Sequence, residues 1–430
     1  MLGVIGVDSL DDLLGDIPVE HRHPSLNLDA GLSEQELSRV FGAIAAENAS
    51  SANGYISFLG AGAYSHYIPS TVRSILQRGE FVTAYTPYQP EAAQGTLQVG
   101  FELQTAICQL TGMEVANAGM YDGPTAFAEA CLMAARVTKR TKIGVLTSAD
   151  SRLPATLLAY SKHQGIEIVE IASDATEIPD DLACVGIQSP NFFGEIEDVE
   201  RLTVLAHAIG ALSIVHVNPT ALGMFKAPGE FDVDIVTAEG QPLGVPMAFG
   251  GPYVGLFACK KAHIRQMPGR IIGKTTDTKG RVGYALTLQT REQHIRRERA
   301  TSNICTSTQL IGLMVAVYTA TLGKQGMREL ANLCYQKAHY AATEIDRLAG
   351  FSVESIHSGS TFFHEFVVSC PDSPSKFNAA LLNQKIIGGL DISDRPDVSG
   401  NRMLVCVTET STKADIDILV AALSEIGAAS

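Results

Sequence analysis

Positive charge in this chain is concentrated where small polar side chains follow it. Arg265, Arg270, Lys274, Lys279, Arg281, Arg291, Arg296, Arg297 and Arg299 fall in one stretch, which runs into Ala300-Thr301-Ser302-Asn303-Ile304-Cys305-Thr306. Such a cluster suits an anionic ligand or a charged subunit contact. The competing use is a solvated helix face, with Glu292 and Glu298 as internal ion-pair partners. Ser302, Asn303 and Thr306 can cap a helix or present polar groups to a ligand, and sequence does not separate the two. A second group, Tyr64, His66, Tyr85 and Tyr88, lies on loops bent by glycine and proline. Tyrosine joins an apolar body to a polar tip, so these loops could wall a site or pack at an interface.

Two turns could hold a ligand. Asn117-Ala118-Gly119-Met120-Tyr121-Asp122-Gly123-Pro124-Thr125-Ala126 joins a strand to a helix, with Pro124 suited to the first helical turn. The start of a helix attracts phosphate through free N–H groups and its dipole, but Met120 and Tyr121 crowd this turn and Asp122 opposes negative charge. The other turn, Ala238-Glu239-Gly240-Gln241-Pro242-Leu243-Gly244, lies between the apolar run Asp234-Ile235-Val236 and Phe249-Gly250-Gly251-Pro252. His216, inside the apolar strand Ala211 to Val217, reads as a hydrogen-bonded core residue.

Short apolar runs at Lys142 to Thr147, Ile166 to Ile171, Ala183 to Gln188, Leu212 to Val217 and Asp234 to Thr237 alternate with helical segments. This pattern predicts a mostly parallel sheet covered on both faces, with ligand loops at the carboxyl ends of its strands. Gln241 sits in such a loop. Ser33 and Glu36 have capping-box spacing for a helix toward Glu47, Gly112 is placed to end a helix from Glu91, and a long helix is expected from Ser307 to about Leu348. Strands near Phe363 to Val368 and Met403 to Val407 complete a smaller unit. We therefore expect a helical and loop-rich segment over 1–90, a large α/β domain over 91–325 and a small α+β domain over 326–430.

The 430 residues are 46% hydrophobic and 18% charged, enough for a sizeable core. A net charge of -14 argues against nucleic-acid and anionic-membrane partners. The eight cysteines have no C-x-x-C spacing and read as buried thiols, which argues against a metal centre and for a reducing compartment. The opening residues carry Asp8, Asp11, Asp12 and Asp16 but no lysine or arginine, unlike a secretory or transit signal, so the expected location is cytoplasmic. The apolar segment Leu310 to Leu322 falls short of the ~20 residues that span a bilayer.

Met267-Pro268-Gly269-Arg270-Ile271-Ile272-Gly273 and the run Arg291 to Thr306, with the Gln241 turn, closely resemble the P-protein of the glycine cleavage system, glycine dehydrogenase (decarboxylating), in its N-terminal half or subunit 1. Val185 to Gly194 matches a strand and turn of that family that serve architecture. The resemblance implies a fold-type I, aspartate aminotransferase-like pyridoxal phosphate (PLP) architecture and a partner, subunit 2, in a heterotetramer. It places Gln241 where the catalytic half keeps its PLP lysine. An amide has no basic lone pair and forms no Schiff base. The strand Ala211 to Val217 also lacks the aspartate that would face the cofactor's ring nitrogen, and Lys260, Lys261 and Lys274 do not follow the Gln241 strand. The resemblance thus implies no catalytic lysine here, PLP bound by subunit 2, glycine as substrate, and lipoylated H-protein as acceptor of the aminomethyl group. Tyr64, His66, Tyr85, Arg270, Ser302, Asn303 and Thr306 become candidates for an active-site wall or interface. A purely structural or regulatory subunit that stabilises subunit 2 is the alternative.

Overall fold

A computed structural model describes residues 1–304, 308–356 and 361–429, and resolves them into two units, Met1–Asn53 and Gly54–Ser430. In the first unit, the helix Glu34–Ala46 starts as its sequence dictates. Ser33 Oγ accepts from Glu36 N, and the Glu36 carboxylate accepts from Ser33 N, so both orphan donors find partners.

The second unit is built on a seven-stranded sheet. Its strands are β1 (Val115–Ala116), β2 (Lys142–Leu146), β3 (Glu167–Ile171), β4 (Leu182–Ser189), β5 (Leu212–Val217), β6 (Ile235–Glu239) and β7 (Gly255–Cys259). They lie in the order β1-β7-β6-β5-β4-β2-β3. Pairing is parallel from β3 through β6, while β7 is antiparallel to both β6 and β1. The strands read as continuous apolar runs because both faces are covered. Successive residues serve opposite cores: Ile214, Ile235 and Phe257 pack with Phe127 and Met133 of the helix Gly123–Thr138, whereas Val215, Val236 and Leu256 pack with Leu103, Ile107 and Tyr318. Gly186 on β4 makes room for the Phe127 ring, which a Cβ there would strike.

Gly112, at φ 71°, ends the helix Gln94–Thr111 in the left-handed conformation that glycine adopts without cost. The basic stretch contains an element its polar sequence concealed, the antiparallel hairpin Ile271–Thr276 with Val282–Thr287. The long helix Gln309–Asp346 is broken at Gly323 (φ 61°, ψ -174°). Its first part buries Met314, Val315 and Tyr318 in the core on one side of the large sheet, and its second part buries Ala338, Ala341 and Ile345 in the core of a four-stranded antiparallel sheet. That sheet runs Ser352–Glu354, Glu365–Ser369, Arg402–Cys406, Leu390–Asp391. Among the described residues, no helix is long and apolar enough to cross a membrane. The described cysteines are free thiols, buried except for half-buried Cys108, and Cys305 lies outside the described residues.

Gly194 links the two sheets: its carbonyl accepts from Phe363 N at 2.9 Å, its φ is 86°, and a Cβ would overlap the Glu365 carbonyl oxygen. Gly194→Ala should therefore lower stability by roughly 2 kcal/mol or more. Urea unfolding measures it, and an unchanged midpoint would contradict this close packing of Gly194 on Glu365.

Candidate functional site

The carboxyl ends of β4, β5 and β6 open onto a cavity of about 260 Å3 whose walls include Tyr64, Asp122, Asp150, His216, Glu239 and Glu365. Gln241 lies beside it, 2% exposed, and its amide is fully engaged. Its Oε1 accepts from Tyr64 N at 2.8 Å, while Nε2 donates to the Tyr64 and Val245 carbonyls at 2.9 Å each. The side chain thus pins the loop that carries Tyr64 and His66 to the end of β6.

Glu239, the last residue of β6, braces three backbone groups. Its Oε2 accepts from Gly123 N at 2.9 Å, and its Oε1 from Gln241 N at 2.9 Å and Val254 N at 3.4 Å. Burial pushes its carboxyl up to about 7, against the lowering pull of those N–H donors. Asp122 caps the same helix from its own side, accepting from Thr125 N at 2.8 Å, while Thr125 Oγ1 accepts from Asp122 N. Ala126 N bonds the Asp122 carbonyl and Pro124 has no N–H, so every donor in the first turn of the Gly123–Thr138 helix is used internally.

Further charged groups gather on the opposite wall. Glu365 accepts from Tyr64 Oη at 2.7 Å and Ala61 N at 2.6 Å, and burial lifts its carboxyl to about 7. Arg152 pairs with Asp150 and donates to the Ala61 carbonyl. His216 bonds Thr237 Oγ1 at 2.9 Å, and its burial lowers it to about 4, which keeps it neutral. His66 Nδ1 meets Glu409 at 2.7 Å under the same loop. Sequence reasoning overlooked Glu239, Asp150, Arg152 and Glu365. The available signal was an acid closing the apolar run of β6 and a His364-Glu365 pair inside an apolar strand.

The remaining candidates lie elsewhere. Tyr85, 76% exposed, borders a separate apolar groove with Phe81, Leu310 and Leu313. Arg270 is buried, bonding Glu292 at 2.6 Å and Tyr88 Oη at 2.8 Å; Arg291 donates to the Met267, Gly269 and Leu288 carbonyls. Those two arginines brace the fold, whereas Arg281, paired with Asp277, is solvated. Ser302 donates to Glu129 at 2.6 Å and, with exposed Asn303, lines a groove shared with Tyr160 and Arg297. Thr306 lies outside the described residues. Lys260 is held at the amino end of β6 by Asp232 and Asp234, at 2.8 Å each, one strand length from Gln241.

A model of the family described as "Glycine cleavage system P-protein" matches residues 1–423. The chain belongs to the glycine cleavage system P-protein family. It is 50% identical, over 98% of its length and 96% of the relative's, to the "Probable glycine dehydrogenase (decarboxylating) subunit 1" of Desulfitobacterium hafniense. It is 47% identical to the protein of the same name from Thermomicrobium roseum, over 99% of this chain and 96% of that one. A crystal structure of glycine decarboxylase (P-protein) of the glycine cleavage system, in inhibitor-bound form, superposes with a TM-score of 0.89 at 39% identity, covering 99% of this chain and 97% of that one. A sphingosine-1-phosphate lyase from Burkholderia pseudomallei, at 12% identity and a TM-score of 0.66 over 95% of this chain and 94% of its own, shares the fold alone. The architecture is that of fold-type I PLP enzymes.

A PLP seat in this fold needs an amine, an anion-binding helix start and, beside the ring nitrogen, a carboxylate. The residues here do not fit that group: no lysine among the described residues lines the cavity and the side chain in the loop after β6 is the engaged Gln241 amide, the helix donors are consumed, and β5 carries neutral His216.

Two expectations follow. Gln241→Leu should strip partners from the buried Tyr64 N–H and from the Tyr64 and Val245 carbonyls, lowering stability by about 3 kcal/mol in denaturant titration. Glu365, proton-binding in the folded chain up to about pH 7 but in the unfolded chain only to about 4.5, should make stability fall as pH rises across that window. Glu365→Gln should flatten that part of the pH–stability profile, as thermal melts at stepped pH would register.

Proposed function

We propose that this chain is the non-lysine subunit of a glycine dehydrogenase (decarboxylating). Together with subunit 2, in a heterotetramer, it would decarboxylate glycine and pass the aminomethyl group to the lipoyl arm of H-protein, in the cytoplasm. The PLP of the complex belongs to subunit 2. The observation that carries this reading is Gln241: in a chain matching the P-protein family along nearly its whole length, the side chain in the loop after β6, where this reading puts the lysine position, is an amide hydrogen-bonded on both its atoms to the fold. In this reading the chain's part is to complete and wall its partner's site. Tyr64, His66, Tyr85, Arg270, Ser302, Asn303 and Thr306 are the proposed wall or contact residues.

A second reading, a structural or regulatory subunit that stabilises subunit 2, draws support from the internally satisfied helix start beside the carboxyl end of β6. Glycine turnover by subunit 2 and H-protein with and without this chain separates the two. A gain in turnover supports the catalytic complex, and a gain in thermal stability at constant turnover supports the scaffold.

Asn303→Ala in the assembled complex should reduce turnover several-fold with little change in melting temperature, because Asn303 is exposed and lines an open groove. A lowered melting temperature with unchanged turnover would assign Asn303 to local helix-capping structure.

A further inference from the structure

The P-protein reading leaves unexplained why Glu239, a carboxyl, is held against the start of a helix on the cavity side of the sheet. A helix start attracts anions because its first N–H groups lack partners inside the helix and point outward. Here the strand end and the helix start are pressed together. A Cβ on Gly123 would lie 2.9 Å from Glu239 Cβ and 3.0 Å from its Cα, so position 123 is open to glycine alone without a backbone shift. That approach delivers Glu239 Oε2 to Gly123 N at 2.9 Å, the geometry of a bound anion's oxygen. Asp122 takes Thr125 N at 2.8 Å from the other side, placing a second carboxyl at the same helix start. Both carboxylates also border the cavity, where a phosphate ester would have to lie to reach these donors.

We infer that the Glu239 carboxylate occupies the anion position at the start of the Gly123–Thr138 helix, and that this side chain, seconded by Asp122, excludes phosphate-bearing ligands from the chain's own cavity. The exclusion is separate from the loss of the lysine: it acts on the phosphate group and would persist with an amine at position 241. It also stands apart from the choice between catalytic and scaffolding subunit, since it concerns this chain by itself.

The test uses the purified full-length chain with inorganic phosphate as probe, at matched ionic strength against chloride. Phosphate stabilises proteins generally by exclusion from their surfaces, so the readout is the difference from wild type. The double variant Glu239→Ala, Asp122→Ser vacates the seat and removes both carboxyls, while the serine introduced at position 122 retains a capping oxygen for Thr125 N. Its melting temperature should rise saturably by a few degrees with phosphate beyond the wild-type response, and calorimetry should show one site, whereas wild type and Gln241→Lys should show none. A folded double variant without that excess response would overturn the inference, as would saturable phosphate binding by Gln241→Lys. A measurement on wild type covers the case in which the double variant fails to fold. With selective 15N-glycine labelling, the Gly123 amide resonance should stay fixed across the phosphate titration, and a saturable shift would overturn the inference.

Discussion

The two-way hydrogen bonding between the Gln241 amide and the Tyr64 peptide holds the cavity end of this molecule together. A single buried side chain serves an N–H and a carbonyl 177 positions away in sequence, then closes its own turn on Val245. Buried backbone groups cost about 1–3 kcal/mol each when unpaired, so the loop carrying Tyr64 is committed to this position over β6. Tyr64 in turn donates to Glu365 on the smaller sheet, and Glu365 accepts from Ala61 N. One amide thereby couples the large sheet, the loop and the small sheet.

The two ends of β6 use charge differently. At its amino end Asp234 gathers Lys260, His207 and the Ser213 N–H, a conventional ionic knot that holds its carboxyl below the usual range despite burial. At its carboxyl end Glu239 meets backbone N–H groups without a cation among those hydrogen-bond partners, and burial dominates, lifting it to about 7. Five residues separate an acid that stays ionised from one near neutrality. Burial raises both, and only Asp234 has cationic and N–H partners enough to outweigh it.

Much of this was legible from sequence. Strands β2 to β6 appear where apolar runs demanded them, the capping box at Ser33 and the helix stop at Gly112 form as their spacing dictates, and His216 is hydrogen-bonded within the sheet. The hairpin Ile271–Thr276 and Val282–Thr287 was hidden because its outer half is exposed, with lysines, threonines and glycines that blur the two-residue alternation. Arg270 looked like part of a basic surface, yet it is buried against Glu292, because an ion pair spanning 22 positions leaves no local pattern. The same is true of Glu239 and Gly123, which are 116 residues apart and meet only once the sheet is assembled. Sequence periodicity reports which face a residue takes; it is silent on which distant donor that residue will find.

The close approach of Gly123 to Glu239 also acts as an evolutionary ratchet. Shortening Glu239 leaves the N–H groups of Gly123, Gln241 and Val254 without their acceptor, and enlarging Gly123 collides with the end of β6. Changing Gln241 first abandons Tyr64 and Val245. Each single step toward an open ligand seat in this cavity therefore crosses a less stable intermediate before any binding could compensate it. A chain wired in this way resists, one substitution at a time, any change that would empty this end of its cavity.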